Sequence, residues 1–338
     1  MASELKKIQP AGGFAESVKE PDGNPMKQVF AKQNRSPDGR SSHLRSFVWA
    51  TVVLALCFAV PLYDLTRFAA GSELYSYILL IPFISLYLVW LKRHNLPPAS
   101  KPARGIAAGF FTVGTVALFA YWLVLRPRLK LMVDDYLALM MISFLLFFFG
   151  VCGLFWGRNI LRALVFPLGF LVFMVPIPAV AISGIDSFLQ YGSAAVAQGF
   201  FRLSGTPFLQ DGLVFQLPDI TIQIAPECSG IHSSLVLFIT SLLASHLFLR
   251  TPWKRAVLVL VVIPLAILRN GFRVFTIGEL CIHIGPQMIN SPIHRKGGPI
   301  FFVLSLIPLF ILLVMLQKSE RGGGNPNSRT GNTHNQNF

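Results

Sequence analysis

Charge is scarce in this chain: 13% of its 338 residues are Asp, Glu, Lys or Arg, while 53% are apolar. Soluble domains carry about 25% charged residues, so that class is excluded and the composition reads as a polytopic membrane protein. Acidic residues are scarcest, 15 against 29 basic ones, leaving a formal charge of +14. The excess does not point to nucleic acid, because the basic residues sit in short clusters between apolar runs and form no stripe interleaved with exposed aromatics. Cysteine is sparse too. Cys57, Cys152, Cys228 and Cys281 show no C-x-x-C and no Cys/His spacing, so neither a metal nor any other cofactor is expected. Cys57 and Cys152 lie inside apolar runs, where a small buried thiol belongs. No internal repeat, appended soluble domain or cleavable signal peptide is visible.

Long apolar runs are what the chain has. A hydrocarbon core of roughly 30 Å needs about 20 helical residues, and about eight runs approach that length: 47–63, 74–91, 105–125, 136–156, 160–182, 231–249, 254–277 and 299–317. The run 160–182 is broken by Pro176 and Pro178. Polar segments at 1–46 and 318–338 read as disordered tails flanking a membrane domain at 47–317. With both tails cytoplasmic, most of the 29 basic residues fall on that side, as the positive-inside rule asks. The 126–135 loop, with Arg126, Arg128 and Lys130, then faces out beside Asp134 and Asp135.

In this topology 183–230 is an extracytoplasmic cap. It begins with a helix-like piece carrying Asp186, Gln190 and Gln198. The alternating "GLVFQLPDITIQIAPE" follows, read as a strand pair turning at "LPD". The expected fold is all-α and polytopic, with short strands confined to the cap.

Three helix ends then bring chemistry to the outer face. Cys228 opens the run "CSGIHSSLVLFITSLLASHLFL", where unpaired N–H groups and the helix dipole favour a thiolate. Ser229 and Gly230 are small and leave room for a substrate backbone; a small residue accommodating helix packing is the other reading. "LRNGFRVF" places Arg269, Asn270 and Arg273 on one helix face. A cation within a span is functional by default, although Arg273 could also snorkel to headgroups, and the deeper Arg269 reads as structural. "SPIHRKGG" supplies His294, with His232 and His283 as outer-face rivals and His246 at the opposite helix end. A thiol, a guanidinium and an imidazole together suit cysteine acyl transfer.

These residues resemble the exosortase/archaeosortase family of polytopic membrane cysteine transpeptidases. The matching pieces are "APECSGIHSS", "PLAILRNGFRV" and "HRKGG", in family order and spacing, supported by "YSYILLIPFISLYLVW", "FPLGFLVFMVPIP" and "QDGLVFQLP". The resemblance runs from about 47 to 317, with Tyr77 standing where family members often have histidine. It implies Cys228 as nucleophile, Arg273 as oxyanion stabiliser, His294 as acid/base and Asn270 as a residue positioning Arg273. It also implies an enzyme of the bacterial inner membrane, working on the extracytoplasmic face. The implied partners are secreted proteins ending in a PEP-CTERM-type tail: a short motif, a transmembrane helix and a basic cluster. The acceptor is a cell-envelope group of unspecified chemistry, the system accompanies exopolysaccharide production, and membrane lipid is the remaining partner.

Two alternatives stand beside this reading. A non-catalytic transporter or scaffold in polysaccharide export would explain the spans and arginines but gives Cys228 no task. A Cys228–Cys281 disulfide on the oxidising side would leave no nucleophile.

Overall fold

In a computed structural model the described residues are 38–97, 101–125, 132–218, 220–224, 230–285, 287 and 298–322. By contacts the chain divides into residues 1–49 and 50–338. Of the first unit only the opening turns of a helix, α1 (Asp38–Cys57), are described. That helix starts inside the segment expected to be a disordered tail; "DGRSSHLR" contains no proline to stop it from extending the apolar run backwards.

The second unit is a helical bundle with one small sheet. After α2 (Ala59–Gly71) and a 3-10 turn at Ser76–Leu80 come α3 (Ile81–Lys92), α4 (Arg104–Ala120), α5 (Val133–Ala163), α6 (Val165–Phe170) and α7 (Ala179–Ser204). Strands β1 (Leu209–Asp211), β2 (Val214–Leu217) and β3 (Ile220–Gln223) lead to α8 (Ile231–Phe248), α9 (Pro252–Leu260), α10 (Val262–His283) and α11 (Gly298–Gly322). Among the described residues six helical stretches are long and apolar enough to span a membrane, or up to eight if each of two bent pairs is one span. The fold is therefore an all-α polytopic membrane fold with a minor sheet. Large apolar side chains stand exposed all round it, Phe83 and Val116 among them, as a lipid-facing surface requires.

The run 160–182 is corrected. α5 continues to Ala163, and after Met174 the chain bends by 91° into α7. Pro176 and Pro178 cause the bend, since proline lacks the N–H and drives the residue before it out of the helical region. Val175 and Pro178 are accordingly extended. Tyr75 and two aspartates fix the corner. The Tyr75 hydroxyl donates towards Asp134 Oδ2 (3.2 Å) and Ile177 O (3.1 Å), and the Ala179 N–H donates to Asp135 Oδ1 (3.0 Å). The helix-like piece is helical as expected and forms most of α7, the second limb of a broken span or re-entrant element.

The strand reading needs a third member. β2 and β3 pair antiparallel as expected, Leu217 opposite Ile220, but β1 pairs with β2 as well, Asp211 opposite Val214. Gly212, with φ +56°, makes that first turn possible. The sheet rests on the end of α7 and the second half of α10 through Phe201, Phe215, Ile222 and Val274.

Small residues set the α7–α10 contact. Lipid offers no hydrophobic drive between helices, so close approach and buried hydrogen bonds hold them. A Cβ on Gly271 would lie 2.6 Å from Val196 Cβ, and one on Gly278 2.6 Å from Phe201 Cζ. Residues 192, 196 and 201 meet 267, 271 and 278 in the same order, so the two helices run parallel. At the other end of the bundle Glu320 accepts the N–H groups of Arg250 and Thr251 and ties α11 to the α8–α9 turn.

Candidate active site

α8 begins at Ile231 with Gly230 as its N-cap residue in the left-handed region, φ +73° and ψ +18°. Only glycine takes that conformation without cost, and here the space is closed as well. A Cβ on Gly230 would stand 3.0 Å from Arg269 Nη2 and 3.1 Å from Asn270 Oδ1. The helix opening is therefore pressed against one turn of α10.

Four donors converge on the Gly230 carbonyl oxygen: Ser234 N (3.0 Å), Ser234 Oγ (2.8 Å), Ser233 Oγ (3.1 Å) and Arg269 Nη2 (3.2 Å). Arg269 also donates to Ser234 Oγ at 3.1 Å. It is 7% exposed, and its Nη1 is buried without a hydrogen-bond partner among the described residues. Among the described residues its acceptors are all neutral, which is costly for a buried guanidinium, so the arrangement serves position rather than stability. Asn270, 2% exposed, donates from Nδ2 to Ser193 Oγ on α7 at 3.0 Å. Three helices are thus joined at one level by Ser193, Gly230, Ser234, Arg269 and Asn270.

Of the expected site residues, Gly230 and Asn270 come together directly. Arg273 is one turn further along α10 and half-buried. Cys228, Ser229 and His294 lie outside the described residues. Among the rival histidines, His246 stacks on Phe166 with ring centroids 3.5 Å apart, beside the Lys92 end of the bundle. His283 is exposed and 3.2 Å from Glu279 Oε2, about 20 Å along α10 from Asn270 at 1.5 Å per residue. His232 alone stays near, in the first turn of α8, half-buried, with Nδ1 buried and without a hydrogen-bond partner among the described residues. Among the described residues no three of His, Cys, Asp and Glu gather in a way that could hold a metal ion.

Arg269, Ser234 and Ser193 were not expected as site-building residues. The two serines carried no signal beyond being small; Arg269 did, since it shares a helix face with Arg273.

A family model described as transmembrane exosortase matches residues 66–311. The chain belongs to the transmembrane exosortase family. No curated protein and no solved structure matches it. The matched stretch contains all of the joined residues from Ser193 to Asn270, and with them the bend at Pro176 and the small sheet. Exosortase membership carries a membrane transpeptidase role in general terms, in a family of cysteine transpeptidases acting on secreted proteins with C-terminal sorting signals. This exosortase is accordingly a multi-pass membrane protein.

Proposed function

We propose that this chain cuts the C-terminal sorting signal of secreted proteins through a thioester on Cys228, and passes the acyl group to a cell-envelope acceptor. The observation that carries the reading is the contact of Gly230 with Arg269 and Asn270. Two residues of chain reach about 7 Å at most, which supports a nucleophile at Cys228 working beside the turn of α10 that precedes Arg273. Arg273 itself is only about 6 Å further along the axis.

In this mechanism Cys228 Sγ attacks the scissile carbonyl carbon, and the electron pair moves to oxygen, where the Arg273 guanidinium donates to it. Collapse breaks the C–N bond, and protonated His294 gives its proton to the leaving amine. His294 then takes a proton from the acceptor amine, or from water, as that nucleophile attacks the thioester carbon. The C–S bond breaks and the thiolate returns. Asn270 fixes the α10 turn that aims Arg273, and Ser229 and Gly230 leave the approach open. The site faces the extracytoplasmic side of the inner membrane with both termini cytoplasmic; the substrates carry PEP-CTERM-type tails and the system serves exopolysaccharide-associated export.

The test is a co-expressed secreted reporter with a Pro-Glu-Pro-type tail. Wild type shortens it, while Cys228→Ala and Arg273→Ala each leave it full length. A transporter or scaffold would tolerate Cys228→Ala.

A further inference from the structure

The end of the bundle that the expected topology makes cytoplasmic, marked by Lys92 beside the last residue of α5, carries a second built feature unrelated to the α8–α10 contact. Up to Gly153, α4 and α5 pack closely: the Ala103 N–H donates to Gly153 O at 3.1 Å, and a Cβ on Gly153 would lie 3.4 Å from that of Ala107. At Gly157 the α5 backbone leaves the helix, with φ +71° and ψ 176°. Past this kink α4, α5 and α6 enclose a groove of about 410 Å³.

Its floor is apolar. Ile106, Phe110, Phe149 and Leu168 line it, with the Phe110 and Phe149 rings edge to face at 5.8 Å. Arg158 and Arg162 line it too, both exposed and four residues apart, so they share one helix face. Neither guanidinium makes a hydrogen bond or ion pair among the described residues. Neighbouring Lys92 is different, since its Nζ already donates to Ala163 O at 3.1 Å.

The counter-charge cannot come from these helices. No acidic residue occurs between Leu74 and Val133 or between Tyr136 and Ile185. Asp134 and Asp135 are at the far end of α5, about 35 Å away at 1.5 Å per residue. Two guanidiniums over an apolar, aromatic slot suit an amphiphile: an anion that takes paired N–H donors, joined to a chain that fills the slot. Basic pockets between membrane helices at this end recognise anionic headgroups.

We propose that the groove binds a phospholipid with an anionic phosphodiester headgroup, its acyl chain against Phe110 and Phe149 and its phosphate between Arg158 and Arg162. The occupant comes from the surrounding bilayer.

Native mass spectrometry of the full-length protein in detergent tests this, titrating phosphatidylglycerol and phosphatidylcholine of identical chains. Wild type is expected to retain phosphatidylglycerol preferentially, and Arg158→Gln with Arg162→Gln to bring the two towards parity, about fivefold lost per guanidinium. The control pair Arg67→Gln and Arg202→Gln is expected to keep the preference. Ile106→Trp, which fills the slot without touching the charge, is expected to weaken both lipids, and it decides the matter if the double-glutamine protein does not fold. Equal binding by wild type, an undiminished preference in the double-glutamine variant, or unchanged binding in Ile106→Trp overturns the proposal. So does displacement of the lipid by equimolar inorganic phosphate, which would make this a site for the free anion.

Discussion

Arg269 Nη2 donates to the Gly230 carbonyl oxygen across 3.2 Å, joining residues 39 apart in the chain. That oxygen keeps three other donors if the guanidinium is removed. Arg269→Met therefore leaves no orphaned acceptor and relieves a buried charge. Its melting temperature is expected to stay within a few degrees of wild type, a change of no more than about 1 kcal/mol. Reporter processing is expected to fall at least tenfold, because the opening of α8 is no longer held to α10. Thermal unfolding beside reporter cleavage checks the split; a matched fall in both would make Arg269 a stability residue only.

Gly271→Ala forces a Cβ to 2.6 Å from Val196 and 3.0 Å from the Ser193 carbonyl oxygen. Backbone has nowhere to move there, so the cost is expected at about 1–3 kcal/mol or more, with processing lost as α7 and α10 separate. Gly109→Ala, on an open face of α4 with nothing within 4 Å, is expected to gain up to about 1 kcal/mol. Parallel melts of the two purified variants measure the contrast.

Tyr75 is 2% exposed and precedes the span that starts at Ser76. Burial, and then the Asp134 carboxylate, push its phenol far above the ordinary value of 10.0. Folded-state protonation is thus stabilising below about pH 10 and is lost as pH rises above it, because the unfolded phenol ionises first. Tyr75→Phe is expected to lose about 1–2 kcal/mol at pH 7 from the missing hydrogen bonds. The wild-type and Tyr75→Phe melting curves are expected to converge between pH 10 and 11.5. Melts across that range decide it; parallel curves would mean the phenol carries no such linkage.

Two histidines compete for the proton-transfer step. His294→Ala is expected to lower processing by at least a hundredfold, the scale of general acid–base catalysis, and His232→Ala by less than tenfold. Cleavage rates of the two variants settle the assignment, and the reverse order would move the role to His232.

The spans were readable because hydropathy is a property of consecutive residues, and the helices at Ile231–Phe248 and Ile300–Arg321 fall close to the runs 231–249 and 299–317. Pro176 and Pro178 announced a break, and the apolar spacing beyond it announced a helix that the structure carries to Ser204, but not its packing against α10. That outcome rests on Gly271 and Gly278 admitting α7, a pairing remote in sequence. β1 escaped because three residues are too few to show alternation, although "DG" marked its turn. At the site, sequence spacing put Asn270 and Arg273 on one face, while the convergence of Arg269, Ser233 and Ser234 on one carbonyl oxygen depends on the left-handed Gly230, which no periodicity reveals.

The most direct measurement is mass spectrometry of the full-length protein, unreduced, after incubation with a tailed reporter peptide and acid quenching. An acyl adduct is expected on Cys228, absent in Cys228→Ala. Cys281 is expected to stay unbridged to it, since Cys281 lies about 16 Å along α10 from Asn270, where Gly230 sits. An uncut reporter with Cys228 cross-linked to Cys281 would refute covalent catalysis by this chain.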